Sequence, residues 1–216
     1  MIGGATHLVW NLFLAALAVV LAQGLAVALR VHRARGDQVL AVPVLGLGIA
    51  WLLFLPNACY LFTEVRHFFD AMDDGDLWAR SDVSHAARAT LAFRATIAAA
   101  YVAFGALSFG LSIRIVRASA EAAGWRVAPL APVLFFVVAL GVHLGLFARF
   151  NSWDVATRPI HVVHHALRVL SGPRRLALLG GVATLLWLTY GVVDVWIDGA
   201  LLRGASLRTR LARVLA

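Results

Sequence analysis

The sequence predicts an all-α protein, a polytopic bundle of about five transmembrane helices. Three observations predict this fold class. First, 62% of the 216 residues are hydrophobic and only 14% are charged, whereas soluble domains are roughly half apolar and about a quarter charged. Second, the apolar residues gather into five stretches of the roughly 20 residues that a helix needs to cross a bilayer. Third, the alternation of polar and apolar residues that is typical of transmembrane strands is absent from the sequence.

The five stretches follow one another along the whole chain, which indicates a single transmembrane domain over residues 1–216. They cover about residues 8–29, 39–62, 89–113, 127–148 and 176–197. A further helix, amphipathic and lying in the membrane interface, is predicted between spans four and five. A bundle of this kind exposes much of its apolar surface to lipid, which solvates it as water cannot.

All 19 basic residues are arginines, and the formal net charge is +8. Because these arginines are spread over the connections between spans, they indicate contact with anionic headgroups rather than nucleic-acid binding. We therefore expect membrane lipids as partners, allow a membrane-protein partner, and expect no nucleic acid.

The arginines also predict an orientation. Connection one, connection three and the C-terminal tail are basic, and cytoplasmic segments carry an excess of arginine. The second connection is acid-rich, with carboxylates at Glu64, Asp70, Asp73, Asp74, Asp76 and Asp82. The fourth connection holds five arginines as well. We expect a bacterial cytoplasmic membrane protein with its N-terminus outside and its C-terminus inside.

Polar residues end span two. Pro56 lacks an amide hydrogen and so leaves a helical carbonyl without a donor. The Asn57 side chain can either donate to such a carbonyl or form a hydrogen bond with another helix. Tyr60, Glu64 and His67 follow at i, i+4 and i+7 and would lie on one side of a continuing helix. This pattern is typical either of a kinked, capped helix end or of a binding or catalytic site.

Charged residues also stand at the outer ends of spans three and four. A charged side chain that faces lipid is costly. Arg94 therefore either extends to the headgroups or pairs with an acidic side chain. The segment Arg149-Phe-Asn151-Ser152-Trp-Asp154 is either a capped helix end anchored in the headgroups or part of a shared polar site. We expect five residues to form one polar cluster there: Glu64, His67, Arg94, Arg149 and Asp154.

The segment after Pro159 has one polar and one apolar face, as an interfacial helix has. His161 and His165 stand at i and i+4, a spacing that can bring two imidazoles to one metal ion. Two histidines do not complete a site, so we predict no metal and no cofactor, and we assign both to headgroup contact.

Two segments resemble signatures of a bacterial integral membrane family, the domain-of-unknown-function family 1361 (DUF1361). They are Leu55-Pro-Asn-Ala-Cys-Tyr60 and Arg149-Phe-Asn-Ser-Trp-Asp-Val155. The chain departs from the family pattern at three positions, with Cys59 for a second proline, Glu64 for an aspartate and Leu146 for an arginine. The resemblance implies the fold and the membrane location, and it carries over no activity.

Three functions are compatible with these residues. The first is a non-enzymatic protein that binds lipid or a membrane partner through the outer polar cluster. The second is a membrane-embedded hydrolase or transferase for lipid-linked substrates, in which His67 or a histidine of connection four is the base. In that enzyme Asp154 or Glu64 would orient the base, and Arg149 would hold a phosphate. The third is a small transporter, although the paired broken helices typical of transporters are not visible.

Overall fold

The chain is almost entirely helical. The computed structural model describes residues 2–36, 38–73 and 77–215, without the side chains of residues 2–6, 38, 64–68, 71–73 and 207–215. In that part of the chain there are eight α-helices and no strand, which confirms the predicted all-α bundle. They are α1 (Ile2–Arg35), α2 (Ala41–Asp73), α3 (Leu77–Val83), α4 (His85–Ala122), α5 (Ala131–Ala148), α6 (Asp154–Thr157), α7 (Pro159–Leu170) and α8 (Pro173–Leu215).

Five of these helices are long and apolar enough to cross a membrane, so the chain is a multi-pass integral membrane protein. The candidate spans are His7–Arg35, Ala41–Thr63, His85–Ala122, Ala128–Ala148 and Pro173–Ser206. Five crossings place the start of α1 and the end of α8 on opposite sides of the bundle. We call these sides the N-terminal face and the C-terminal face.

Local sequence explains where the helices begin and end. Gly36 follows α1 and Gly124 follows α4 with φ angles of 62° and 87°, a left-handed conformation that glycine adopts without a steric penalty. The Ser84 side chain accepts a hydrogen bond from the Ala87 amide and caps the start of α4. Pro159 and Pro173 open α7 and α8, where the missing proline N–H costs no helical bond.

Three helices extend well past the apolar stretches that predict them. Helix α2 continues to Asp73, α4 has 38 residues and α8 has 43. Arginine, alanine and glutamate are good helix formers, so the helices continue where the polar connections were expected to begin. Arg114 and Arg117 consequently lie on α4.

Helices α1, α2 and α4 pack against one another, while α5 packs against α2 and α8, and α8 also packs against α4. Small residues permit two of these close approaches. A Cβ atom on Gly105 would stand 2.8 Å from the Ala58 carbonyl oxygen of α2, and one on Gly110 would overlap Val193 of α8. Such contacts let helix backbones come near each other where no hydrophobic force drives association. The core between them includes the fully buried Phe109.

Candidate functional site

Asn57 and Ser152 join α2 to the segment that follows α5. The Asn57 side-chain amide donates to the Ser152 hydroxyl at 2.9 Å and to the Phe54 carbonyl at 3.0 Å. The Ser152 hydroxyl donates to the Leu53 carbonyl at 2.8 Å. These carbonyls belong to the turn before Pro56, whose missing N–H leaves the carbonyl four residues earlier, that of Leu52, without its helical donor. The two side chains bond to the next two carbonyls along α2, and they join this turn of α2 to the segment after α5.

Asp154 is buried and closes the turn that contains Ser152. Asp154 is 8% exposed, and its Oδ2 accepts a hydrogen bond from the Asn151 amide at 2.6 Å. The Asp154 amide in turn donates to the Asn151 carbonyl at 3.0 Å. The carboxylate thus holds the backbone conformation that presents Ser152 to α2.

Arg149 occupies an unusual backbone position between α5 and this turn. Its φ angle is 55°, the only positive φ of a non-glycine residue in the described ranges, and this left-handed conformation costs an ordinary residue roughly 1–2 kcal/mol. The Arg149 side chain is exposed and forms no ion pair with Asp154. The structure therefore does not bring these two residues together as a charge pair.

The other three members of the expected five-residue cluster lie on α2 and α4. Arg94 is half-buried on α4. Glu64 and His67 belong to α2, but their side chains lie outside the described residues. The predicted cluster of five stays a prediction, although Arg149 and Asp154 form no ion pair within it.

Helix α5 lies closely against α2 through a Gly-x-x-x-Gly pair that the sequence analysis does not single out. The Tyr60 hydroxyl donates to the Gly141 carbonyl at 3.3 Å. A Cβ atom on Gly145 would overlap the Tyr60 hydroxyl, and one on Gly141 would lie 2.6 Å from Pro56 Cγ. Spacing of small residues at i and i+4 on an apolar helix is the signal that predicts such a contact.

A crevice of about 250 Å³ lies beside these contacts, between α2, α5 and the α6–α7 segment. Its walls are mostly aliphatic, and its polar groups come from Tyr60, Asn151 and Ser152. Two wall residues, Val155 and Val163, are 38% and 57% exposed. The crevice is therefore open to the surroundings of the bundle along α7.

A second and more open cavity of about 660 Å³ lies beside the first turn of α7. It is lined by Phe150, Thr157, Arg158, Pro159, Ile160 and His161. Phe150 lines both cavities, and its ring also contacts His165 edge-on with 5.7 Å between centroids. The aliphatic crevice and the arginine-bearing cavity therefore meet at one aromatic side chain.

The histidines of α7 differ in exposure and in the residues they contact. His161 is exposed and His165 is half-buried against Phe150. The His164 ring lies 3.0 Å from the Arg168 guanidinium. Within the described part of the chain, no three histidine, cysteine or acidic side chains form a group that can hold a metal ion.

A charged network at the opposite, C-terminal face ties α4 to α8. Arg114 bridges Asp194 and Asp198, each at 2.6 Å. Arg117 lies 3.3 Å from Asp194 and donates to the Tyr190 hydroxyl at 2.7 Å. The span assignments treat these arginines only as signs of orientation. The spacing of two arginines at i, i+3 and two aspartates at i, i+4 was the available signal for pairing.

Comparison with known proteins identifies the family. The family model described as "Protein of unknown function (DUF1361)" matches residues 10–189. The chain belongs to the DUF1361 family. The match confirms the resemblance. It covers all residues that line the crevice and both DUF1361 segments quoted from the sequence. No curated protein and no solved structure matches this DUF1361 chain.

Proposed function

We propose that this DUF1361 protein is a non-enzymatic membrane protein that binds a membrane lipid, with an acyl chain in the crevice between α2, α5 and α7. The observation that carries the proposal is the crevice itself, which is aliphatic along its walls and polar at one end. Its volume of about 250 Å³ is below the roughly 300–1,000 Å³ of pockets that hold drug-sized ligands. A narrow apolar space of this kind suits part of an acyl chain better than a polar metabolite.

The position of α7 supports this proposal. Ile160, Val163 and Leu167 are 81%, 57% and 59% exposed, which suits contact with lipid and would be costly in water. His161 and Arg168 are exposed on another side of the helix, where they suit the headgroup layer. Two exposed sides of this kind, with a third side against the protein, are typical of a helix that lies in a membrane interface. The crevice would then open at the depth where acyl chains begin.

The hydrolase or transferase hypothesis has less support from the described residues. It uses Asp154 or Glu64 to orient a histidine, and the bond described for the Asp154 carboxylate goes to the Asn151 amide. The side chains of Glu64 and His67 lie outside the described residues. The contacts described for the histidines of α7 are those of His164 with Arg168 and of His165 with Phe150. Asn57 and Ser152 are likewise engaged in joining α2 to the turn.

We further propose that the chain forms one transmembrane domain in the bacterial cytoplasmic membrane, with its N-terminal face outside. The support is the arginine content of connections one and three and of the tail, together with the acidic second connection. The lipid would then come from the outer leaflet of that membrane.

The crevice can be tested by filling it. Ala166 lines the crevice, so Ala166→Trp should occupy the space and exclude a chain. Native mass spectrometry of the full chain in mixed micelles with phosphatidylcholine measures the lipid that stays bound. We expect Ala166→Trp to reduce retention about tenfold, equivalent to ~1.4 kcal/mol.

Val192→Trp is the matched control, because Val192 is 71% exposed on α8 and does not line the crevice. It should retain lipid as the unsubstituted chain does. Circular dichroism and gel filtration establish that each variant folds, and Val162→Phe replaces Ala166→Trp if the latter does not. Equal lipid retention by a folded crevice variant and by the control would refute the proposal.

A further inference from the structure

We propose that the cavity at the start of α7 is the headgroup site for an anionic glycerophospholipid, with Arg158 as the residue that selects negative charge. The inference rests on the proposed function, because it assigns the headgroup of the lipid whose chain enters the crevice. The two cavities share Phe150. One molecule can therefore extend from the aliphatic crevice past this ring to the polar cavity.

Arg158 has the chemistry that this role needs. It lines the cavity, is exposed, and its guanidinium makes no hydrogen bond or ion pair with any described residue. Two other arginines of the same connection are engaged, since Arg168 contacts His164 and Arg175 donates to the Arg168 carbonyl. The remaining two, Arg149 and Arg174, do not line the cavity. A guanidinium that is not already paired retains all five donors for phosphate oxygens.

The charge around the cavity also favours an anion. Residues 149–175 contain five arginines and a single carboxylate, Asp154. That carboxylate is buried and accepts a bond from the Asn151 amide, and it forms no ion pair with a described arginine. The cavity also borders the N-terminal turn of the 12-residue helix α7, whose dipole adds positive potential. Headgroups with a net negative charge match this surface better than zwitterionic ones.

Charge-removing variants provide the test. Native mass spectrometry of the full chain measures retention of phosphatidylglycerol against phosphatidylcholine from micelles that contain both. We expect the unsubstituted chain to retain more phosphatidylglycerol than phosphatidylcholine. In Arg158→Gln this ratio should be about tenfold lower. Arg174→Gln is the control, because Arg174 is an exposed arginine of the same connection that does not line the cavity. Added inorganic phosphate should not displace the lipid, since the chain in the crevice contributes to binding.

The outcomes separate the two proposals. If Arg158→Gln and Arg174→Gln retain the same preference for phosphatidylglycerol, the headgroup assignment is overturned. Displacement of the lipid by inorganic phosphate would overturn it too, because a free anion would then be the ligand. Loss of both lipids in Ala166→Trp, with an unchanged preference in Arg158→Gln, would keep the crevice and reject the headgroup site. Unchanged retention in Ala166→Trp rejects the crevice whatever Arg158→Gln does.

Discussion

Asp194→Asn should destabilise the bundle far more than Asp198→Asn, although both remove one carboxylate from the same network. Asp194 receives Arg114 at 2.6 Å and Arg117 at 3.3 Å, and its side chain is 17% exposed. Among the described residues, Asp198 pairs with Arg114 alone, also at 2.6 Å, and its side chain is 57% exposed. The two substitutions are therefore matched in chemistry and differ in burial and in the number of arginines that lose a partner.

The expected magnitudes follow from this difference. Breaking a buried ion pair costs roughly 3–5 kcal/mol because a charge is left without compensation, and loss of an exposed pair costs about 0.2–1 kcal/mol. Asp194 is mostly but not fully buried, so water screens part of the loss. We expect about 2–4 kcal/mol for Asp194→Asn and less than about 1 kcal/mol for Asp198→Asn.

The free energy of unfolding can be measured in detergent micelles by circular dichroism as the mole fraction of dodecyl sulfate is raised. A double-mutant cycle of Asp194→Asn with Arg117→Gln isolates the pairwise interaction. Coupling above about 0.5 kcal/mol is expected for residues in one network. Equal, small effects of Asp194→Asn and Asp198→Asn, with no coupling to Arg117, would show that the network does not hold α4 to α8.

Two further predictions concern packing and orientation. Gly145→Ala should destabilise the protein by about 1–3 kcal/mol, because the new methyl group would overlap the Tyr60 hydroxyl and overpacking has this cost. Gly181→Ala, where nothing lies within 4 Å, should be neutral or stabilising, and equal melting of the two variants would contradict the close contact. In a Cys59→Ser background, an impermeant thiol reagent added to cells should label Arg80→Cys and not Arg33→Cys. The reverse pattern would show that the proposed orientation is wrong.

Much of the fold was predictable because hydrophobicity along one chain segment decides whether that segment can cross a membrane. The five apolar stretches correspond to the five candidate spans, and Pro159 with the polar and apolar residues after it predicts α7. The ends of the helices were less predictable. Helix propensity carries α4 and α8 past the apolar stretches, so hydropathy locates the membrane-crossing part and not the helix end.

Side-chain partners depended on information that a single segment does not contain. Asn57 was recognised as a residue that can bond across helices, but its partner Ser152 is 95 positions away. Arg149 and Asp154 are close in sequence and opposite in charge, yet the carboxylate instead accepts a backbone bond within its own turn. Such local bonds to free backbone groups compete with ion pairs wherever a helix ends.

The sequence by itself determined the membrane location, the number of crossings and the family, because composition, hydropathy and short motifs are properties of the chain. Only the tertiary structure decided that the α5 glycines meet Pro56 and Tyr60, and that Arg114 and Arg117 meet Asp194. It also decided that the crevice and the Arg158 cavity adjoin at Phe150. These features depend on how the helices rotate and approach one another, and that is determined by the shapes of all the packed surfaces together.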